Sequence, residues 1–258
     1  MIDLINGDCL EEMDKLIAQG IKVDAIITDP PYGTTACKWD SIIPFDEMWE
    51  RLNKLIKPNG AIVLFGSEPF SSALRMSNIK KYKHDWKWNK TVAGNSLIAK
   101  YRPLNIFEDI MVFEKRGKKV NYYPIMTMAK PKNIRPIGAS KKKSDFLSGI
   151  KSGEFKPKES YNPNLRFPIN EITMSSRSCE CNSVNRVHST QKPVALMEYL
   201  IKTYTLENET VLDFTMGSGS TGVACKNTNR NFIGIEKELK YFNISQDRIN
   251  KNYQPELF

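Results

Sequence analysis

A carboxylate, two prolines and a phenol stand in a row at Asp29-Pro30-Pro31-Tyr32, directly after the apolar run Val23-Asp24-Ala25-Ile26-Ile27-Thr28. The run predicts a short buried strand, so the tetrapeptide falls at the strand's carboxyl end, where open α/β sheets place their ligands. Consecutive prolines fix φ twice and bias the residues before them toward extended geometry. Asp29 and Tyr32 are then held on a stiff turn, one as an acceptor for N–H groups, the other as a ring that can cover a flat group. A proline turn that merely closes a strand reads the same way, so the tetrapeptide needs a second motif beside it.

That motif lies near the other end of the chain. The apolar stretch Val211-Leu212-Asp213-Phe214-Thr215-Met216 runs into Gly217-Ser218-Gly219-Ser220-Thr221-Gly222, and a helix is predicted through Val223-Ala224-Cys225-Lys226. Glycines let a backbone approach a ligand, and a helix amino-terminus offers free N–H groups and a positive dipole end. The next strand, Asn231 to Ile235, ends in Glu236, an acid placed to grip the hydroxyls of a ribose. Gly217 to Gly222 also fits the G-x-G-x-x-G dinucleotide fingerprint, which by itself equally describes a glycine-rich loop.

Elements able to position these motifs can be read coarsely. Strands are predicted at residues 3–6, 25–28, 61–65, 85–88, 110–113, 211–213 and 231–235. Phe45 to Ile56 reads as an amphipathic helix, opened by Pro44 and stopped by Pro58-Asn59-Gly60. Pro193 opens another through Tyr204, and a last helix covers Leu239 to Ile249. Strands alternating with helices argue for an α/β, doubly wound, mostly parallel sheet. Trp86 and Trp88 alternate on a strand and so share a packed face; His84 is read as a surface or core histidine. Asn89, Lys90, Gly94 and Asn95 follow as candidate borders of a target pocket.

The chain has 258 residues, enough for one α/β domain with an insertion. Its five cysteines are scattered and odd in number, which argues against a disulfide framework and fits a reducing cytosol. The start lacks a basic region followed by a long apolar stretch, so no signal peptide is expected, and no window approaches the ~20 apolar residues that span a bilayer. Net charge is +9, but residues 115–166 carry 14 Lys and Arg against 3 acids, a surplus of 11, which leaves −2 for the remainder. A basic segment of this kind suits phosphate tracking, with Lys130, Lys132, Arg135, Lys141, Lys142 and Lys143 as candidate contacts to nucleic-acid phosphates. A solvated loop has the same composition. Aromatic residues interleave there (Tyr122, Tyr123, Phe146, Phe155, Tyr161, Phe167), some of them expected to anchor the segment to the core.

Taken together, the two motifs resemble those of S-adenosylmethionine-dependent DNA amino-methyltransferases of the permuted, β-class arrangement. In that family D-P-P-Y is catalytic, a D-x-F-x-G-S-G-type segment binds the cofactor, and a target-recognition region separates them, which is the order found here. His188-Ser189-Thr190-Gln191-Lys192-Pro193 is similar to the family's H-x-T-Q-K-P element. The resemblance implies a seven-stranded Rossmann-like sheet, circularly permuted, one strand antiparallel, with the cofactor strand central. It divides the chain into a catalytic part at 1–116, a basic target-recognition insert at 117–187 and a cofactor-binding part at 188–258.

The implied activity is site-specific transfer of a methyl group from S-adenosylmethionine to the exocyclic N6 amino group of adenine in double-stranded DNA, with base flipping. An exocyclic amino nitrogen is a poor nucleophile because its lone pair is delocalised into the ring. Two N–H bonds donated to fixed acceptors, the Asp29 carboxylate and the Pro30 carbonyl, draw it toward tetrahedral geometry, while Tyr32 stacks on the ring. Pro31 completes the catalytic set. The cofactor set carried over is Asp8 with Cys9 at the adenine end, Asp29, Gln191 and Lys192 near the carboxylate end, Asp213, Phe214, Gly217, Ser218, Gly219 and Ser220 in the loop, and Glu236 on the ribose. For Gln191 and Lys192, capping of the helix after Pro193 is the competing role.

The family's usual D-P-F-x-G-S-G-T-T is here Asp213-Phe214-Thr215-Met216-Gly217-Ser218-Gly219-Ser220-Thr221: the proline is gone and the ring has moved one position. Neighbouring strand residues point to opposite faces, which puts in question whether Phe214 covers the cofactor. No metal is expected, since Cys179-Glu180-Cys181 with His188 falls short of a four-ligand site. Cytosine-N4 and RNA adenine methylation stay open, as does a catalytically inactive DNA-binding protein, although Asp29 and the glycine loop are intact. A nicotinamide dehydrogenase is disfavoured, because only 22 residues follow Glu236 and D-P-P-Y has no part in hydride transfer. A homodimer and a cognate restriction endonuclease are the partners left open, no membrane is expected, and the expected location is the cytoplasm of a bacterial or phage-infected cell.

Overall fold

All six residues of the strand Val23–Thr28 are buried, as a strand covered on both faces requires. The computed structural model describes residues 1–34, 40–94, 99–115, 117, 119–129, 162, 164–177 and 191–251. In chain order its elements are β1 (Ile2–Asn6), α1 (Cys9–Ala18), β2 (Val23–Thr28), α2 (Phe45–Leu55), β3 (Ile56–Gly66), α3 (Phe70–Ser77), β4 (Tyr82–Asn89) and β5 (Phe107–Phe113). Then follow β6 (Thr127–Met128), β7 (Leu165–Arg166), β8 (Glu171–Thr173), α4 (Val194–Tyr204), β9 (Thr210–Asp213), α5 (Ser220–Asn227), β10 (Asn231–Glu236) and α6 (Leu239–Asn250).

Contacts divide the chain into two units, Met1–Tyr123 with Asn170–Phe258, and Pro124–Ile169. In the smaller unit β6 and β7 pair antiparallel, Thr127 opposite Arg166. In the larger unit the sheet runs β1-β10-β9-β2-β3-β5-β4-β8. The seven expected strands are all there, and three-residue β8 adds an eighth beside β4. Only β5 is reversed within this sheet, antiparallel to both β3 and β4. The late strand β9 lies in the sheet interior between β10 and β2.

Alternate strand residues feed two cores. Ala25, Ile27, Ala61, Val63, Phe65, Trp86 and Trp88 pack with Leu196, Leu200 and Tyr204 of α4 and with Val223 and Ala224 of α5. Ile26, Ile62, Leu64, Met111 and Leu212 pack on the other face with Met13 of α1, Met48, Trp49 and Leu52 of α2, and Phe70 and Leu74 of α3. Helices on both faces make the sheet doubly wound. Helix α2 ends one residue earlier than expected, because Ile56 is already extended and the turn signal Pro58-Asn59-Gly60 lies inside β3; Pro58 forces the residue before it away from helix geometry. Helices α1 and α3 were not legible as periodic runs. His84 is exposed, and its Nε2 lies 2.9 Å from the Tyr204 hydroxyl. Among the described residues no helix is long and apolar enough to cross a membrane.

Candidate active site

Parallel strands deliver their carboxyl ends to one edge of the sheet, and β2 and β9 are neighbours there. The carboxylate of Asp213, at the end of β9, ties the two motifs together. Its Oδ1 accepts from the Thr28 hydroxyl at 2.5 Å and from the Thr215 N–H at 3.2 Å, and its Oδ2 accepts from the Thr221 hydroxyl at 2.5 Å. Burial pushes this carboxyl up to about 6 although its three donors favour the charged form.

Beyond Thr28, Asp29 is gripped on both oxygens. The Tyr32 hydroxyl donates to Oδ1 at 2.5 Å, and the Lys192 ammonium meets Oδ2 at 2.5 Å. Lys192 is 8% exposed, lies over the Phe65 ring at 5.2 Å and faces Glu108 Oε2 at 3.3 Å. Glu108 Oε1 in turn pairs with Lys90 at 3.1 Å. Burial raises the Asp29 carboxyl and Glu108 adds to it, against Lys192 and Tyr32. Glu108 is held low: burial opposes ionisation, but Lys192 and Lys90 outweigh it. Lys192 is pushed up, because two carboxylates overcome its burial. The Tyr32 ring stacks on Phe70 at 5.0 Å and 27°, and burial, then Asp29, keeps its hydroxyl protonated. After the tetrapeptide, Asp40 accepts from the N–H groups of Gly33 and Thr34, both at 2.9 Å, and fixes the turn.

At the glycine loop, Glu236 accepts from the Gly217 N–H at 2.9 Å and from the Glu238 N–H at 2.7 Å. Arg248 of α6 donates to the Ser218 carbonyl at 2.5 Å and to its hydroxyl at 2.9 Å. Gly217 (φ 53°) has nothing within 4 Å of where a Cβ would stand. Gly219 (φ 81°) differs: a Cβ there would meet Ser245 Cβ at 2.9 Å. Its bareness makes room for α6, and its left-handed conformation opens α5. Asp8 caps α1 by accepting from the Leu10 N–H at 3.0 Å and pairs with Lys237 at 3.2 Å. Burial works against its ionisation, but these donors hold its carboxyl below the usual range. Burial, then Asp8, pushes the Cys9 thiol up to about 12.

These residues share one cavity of about 570 Å³ within the larger unit. Asp8, Cys9, Asp29, Pro30, Pro31, Tyr32, Gln191, Lys192, Asp213, Phe214, Gly217, Ser218, Ser220 and Glu236 line it, while Gly219 does not. Phe214 is only 1% exposed and packs with Leu212 and Ile233 in the core on the α1 side. Lys192 turns away from the start of α4, where Pro193 as the N-cap residue offers no side-chain hydrogen bond, and reaches Asp29 instead. Lys90 lines the cavity as expected of that loop, whereas Asn89 is turned to Glu171. Lys130, Lys132, Arg135, Lys141, Lys142 and Lys143, together with Asn95, Cys179, Cys181 and His188, lie outside the described residues. Sequence reading missed Glu108, Asp40, Phe70 and Arg248. None of them sits in a motif, and only Glu108, an acid leading an apolar strand, carried any signal.

The cavity fits an adenosine-type cofactor with a charged methionine end. Acceptors Asp8, Glu236 and Glu238 line it for hydroxyl and amino donors, and open space over Gly217 lets a ligand meet the backbone. The DNA methylase family profile matches residues 23–247. The chain is 27% identical over 244 residues to the Type II methyltransferase M.HpaI of Haemophilus parainfluenzae, over 90% of this chain and 69% of that protein. It is 28% identical over 274 residues to a Type II methyltransferase of Lactococcus lactis subsp. cremoris, over 96% and 89% of the two. The solved M1.HpyAVI–SAM complex superposes with a TM-score of 0.65 at 30% identity, over 97% of this chain and 100% of that one. The cytosine-N4-specific PvuII DNA methyltransferase, at 17% identity and a TM-score of 0.64, over 98% and 88% of the two chains, shares the fold.

Proposed function

The chain belongs to the DNA methylase family and is an S-adenosylmethionine-dependent DNA amino-methyltransferase, and on that premise we propose that its target is the N6 amino group of adenine in duplex DNA, flipped into the cavity. Bound S-adenosylmethionine supplies a methyl group on a positively charged sulfur, activated for attack. Everything else falls to the protein as positioning and electrostatics.

Asp29 Oδ1 and the Pro30 carbonyl accept the two amino N–H bonds, which localises the nitrogen lone pair and turns it outward. The nitrogen forms its new N–C bond with that pair while the methyl carbon's bond to sulfur breaks and leaves its electrons on the sulfur, and the nitrogen then passes one proton to the Asp29 carboxylate. Tyr32, backed by Phe70 at 5.0 Å, offers its free face to the base, and its hydroxyl yields Oδ1 to the incoming N–H. Lys192 stays on Oδ2. Asp8, Glu236 and the Gly217–Ser218 backbone hold the cofactor. The aspartate that opens the catalytic tetrapeptide, where the cytosine-directed proteins of the resembled family lean to serine, supports adenine over cytosine. The basic segment at 115–166 serves as the phosphate-tracking surface, and a restriction endonuclease of the same site specificity is the partner this role would have.

The observation that carries the reading is that Asp29 shares one cavity with the glycine loop. Incubation of unmethylated DNA with methyl-labelled cofactor, followed by mass analysis of digested nucleosides, should give N6-methyladenine from the parent and none from folded Asp29→Ala. Labelled N4-methylcytosine would overturn the adenine assignment, and turnover by Asp29→Ala would overturn the mechanism.

A further inference from the structure

The reaction moves positive charge toward the amino nitrogen, so the net charge around Asp29 bears on its rate. Asp29 and Glu108 are met by Lys192 and Lys90 in a chain of contacts: Asp29 to Lys192 at 2.5 Å, Lys192 to Glu108 at 3.3 Å, Glu108 to Lys90 at 3.1 Å. Two carboxylates against two ammoniums sum to zero. Glu108 Oε2 is buried and is met by the Lys192 ammonium at 3.3 Å, so its charge is felt chiefly by that ammonium. Glu108 stands at the start of β5 and Lys192 just before α4, so the pair also crosses from sheet to helix layer.

We propose that Glu108 is a positioning residue for methyl transfer that acts through Lys192. It takes up part of the ammonium's field, so that Lys192 orients Asp29 without neutralising it as an acceptor. Without the Glu108 charge, Lys192 pairs with Asp29 alone. Asp29 then weakens as an acceptor for the amino N–H, and the site carries a surplus positive charge where more is about to develop. Low-dielectric surroundings amplify both effects. The inference rests on the reading of Asp29 as the amino-group acceptor.

A double-mutant cycle tests it. Glu108→Gln keeps shape and removes charge, so single-turnover methylation should slow by about a hundredfold, the lower end of the loss from removing one preorganised electrostatic contact. The DNA KM and cofactor affinity should stay within about twofold, as for a contact felt mainly in the transition state. In a Lys192→Met background the same change should be neutral or raise activity, because the Glu108 charge then only repels Asp29. A merely structural Glu108 predicts the same fractional loss in both backgrounds, and that result overturns the proposal, as does a parental rate in Glu108→Gln. If Glu108→Gln does not fold, Glu108→Asp replaces it: its retracted carboxylate should slow the parent and again cost nothing beside Lys192→Met. An active Asp29→Ala would instead refute the underlying reading; an inactive one with an additive cycle refutes this inference alone.

Discussion

The hydroxyl of Thr215 donates to the backbone carbonyl of Asp29 at 3.1 Å, across 186 positions of sequence. The same hydroxyl stands 2.7 Å from that of Thr28. Thr215 occupies the position where the resembled family carries phenylalanine, so the departure exchanges an aromatic wall for a polar stitch between β9 and β2. Thr215→Val should cost about 0.5–1.5 kcal/mol of stability for the lost hydrogen bond. It should lower kcat more than it raises the cofactor Kd, because the bond ends on Asp29. Denaturant unfolding and single-turnover rates measure the two effects, and an unaltered rate would show that Asp29 is held without it.

The glycine loop offers a contrast between two neighbours. Gly217→Ala should leave the fold almost intact, at a left-handed-backbone cost of about 1–2 kcal/mol, while weakening cofactor binding by filling open space. Gly219→Val should destabilise the protein by at least about 1–3 kcal/mol from overpacking against Ser245, even with no cofactor present. Glu236→Ala should weaken cofactor binding by roughly 1.5–3 kcal/mol, as for hydrogen bonds to a charged group. Calorimetry gives the affinities and thermal melts the stabilities. Equal melting of the two glycine variants would refute the assignment of Gly219 to α6 packing.

Asp213 makes stability depend on pH with a defined sign. Its carboxyl is raised from 3.8 to about 6 on folding, so the folded state binds this proton more tightly than the unfolded chain. The contribution is complete below 3.8 and is lost as pH rises through about 6, at no more than roughly 1.4 kcal/mol per unit. The stability gap between parent and Asp213→Asn should therefore change inside that window and stay level above it. Denaturation series across the window check this, and a gap constant with pH would place Asp213 in the ordinary carboxylate range.

For the basic segment the expectation concerns salt. DNA affinity should fall with a log–log slope near −0.9 per phosphate neutralised. Replacing Lys141, Lys142 and Lys143 with alanine should flatten the slope and weaken all sequences alike, since phosphate contacts carry no direct sequence information. Anisotropy titrations at several salt concentrations measure it. A parental slope in the triple variant would move the phosphate surface elsewhere.

Periodicity and motif spacing made the sheet and both halves of the cavity legible, because an all-apolar run such as Val23–Thr28 has few alternatives to a covered strand. What stayed hidden depends on which strands become neighbours. Glu108 reads as the polar start of an ordinary strand. Only the reversal of β5 brings a strand's beginning to the edge where β2 and β9 end. Lys192 was legible as a motif residue but not as the partner of Asp29, which lies 163 positions away. Gly219 was legible as a glycine, yet its reason lies on α6, and no local pattern records a helix arriving later in the chain.

The zero-sum group at Asp29, Glu108, Lys192 and Lys90 also shapes what approaching DNA senses. Opposed charges a few ångströms apart have a far field that decays faster than that of any one of them, so outside the cavity they contribute little to attracting or repelling a phosphate. Mobile ions act chiefly on long-range, exposed charge. Ionic strength should therefore govern how often DNA arrives, and hardly at all how fast a seated base reacts. On the proposed reading, capture and chemistry would be tuned by different charges, and altering either set should leave the other's step undisturbed.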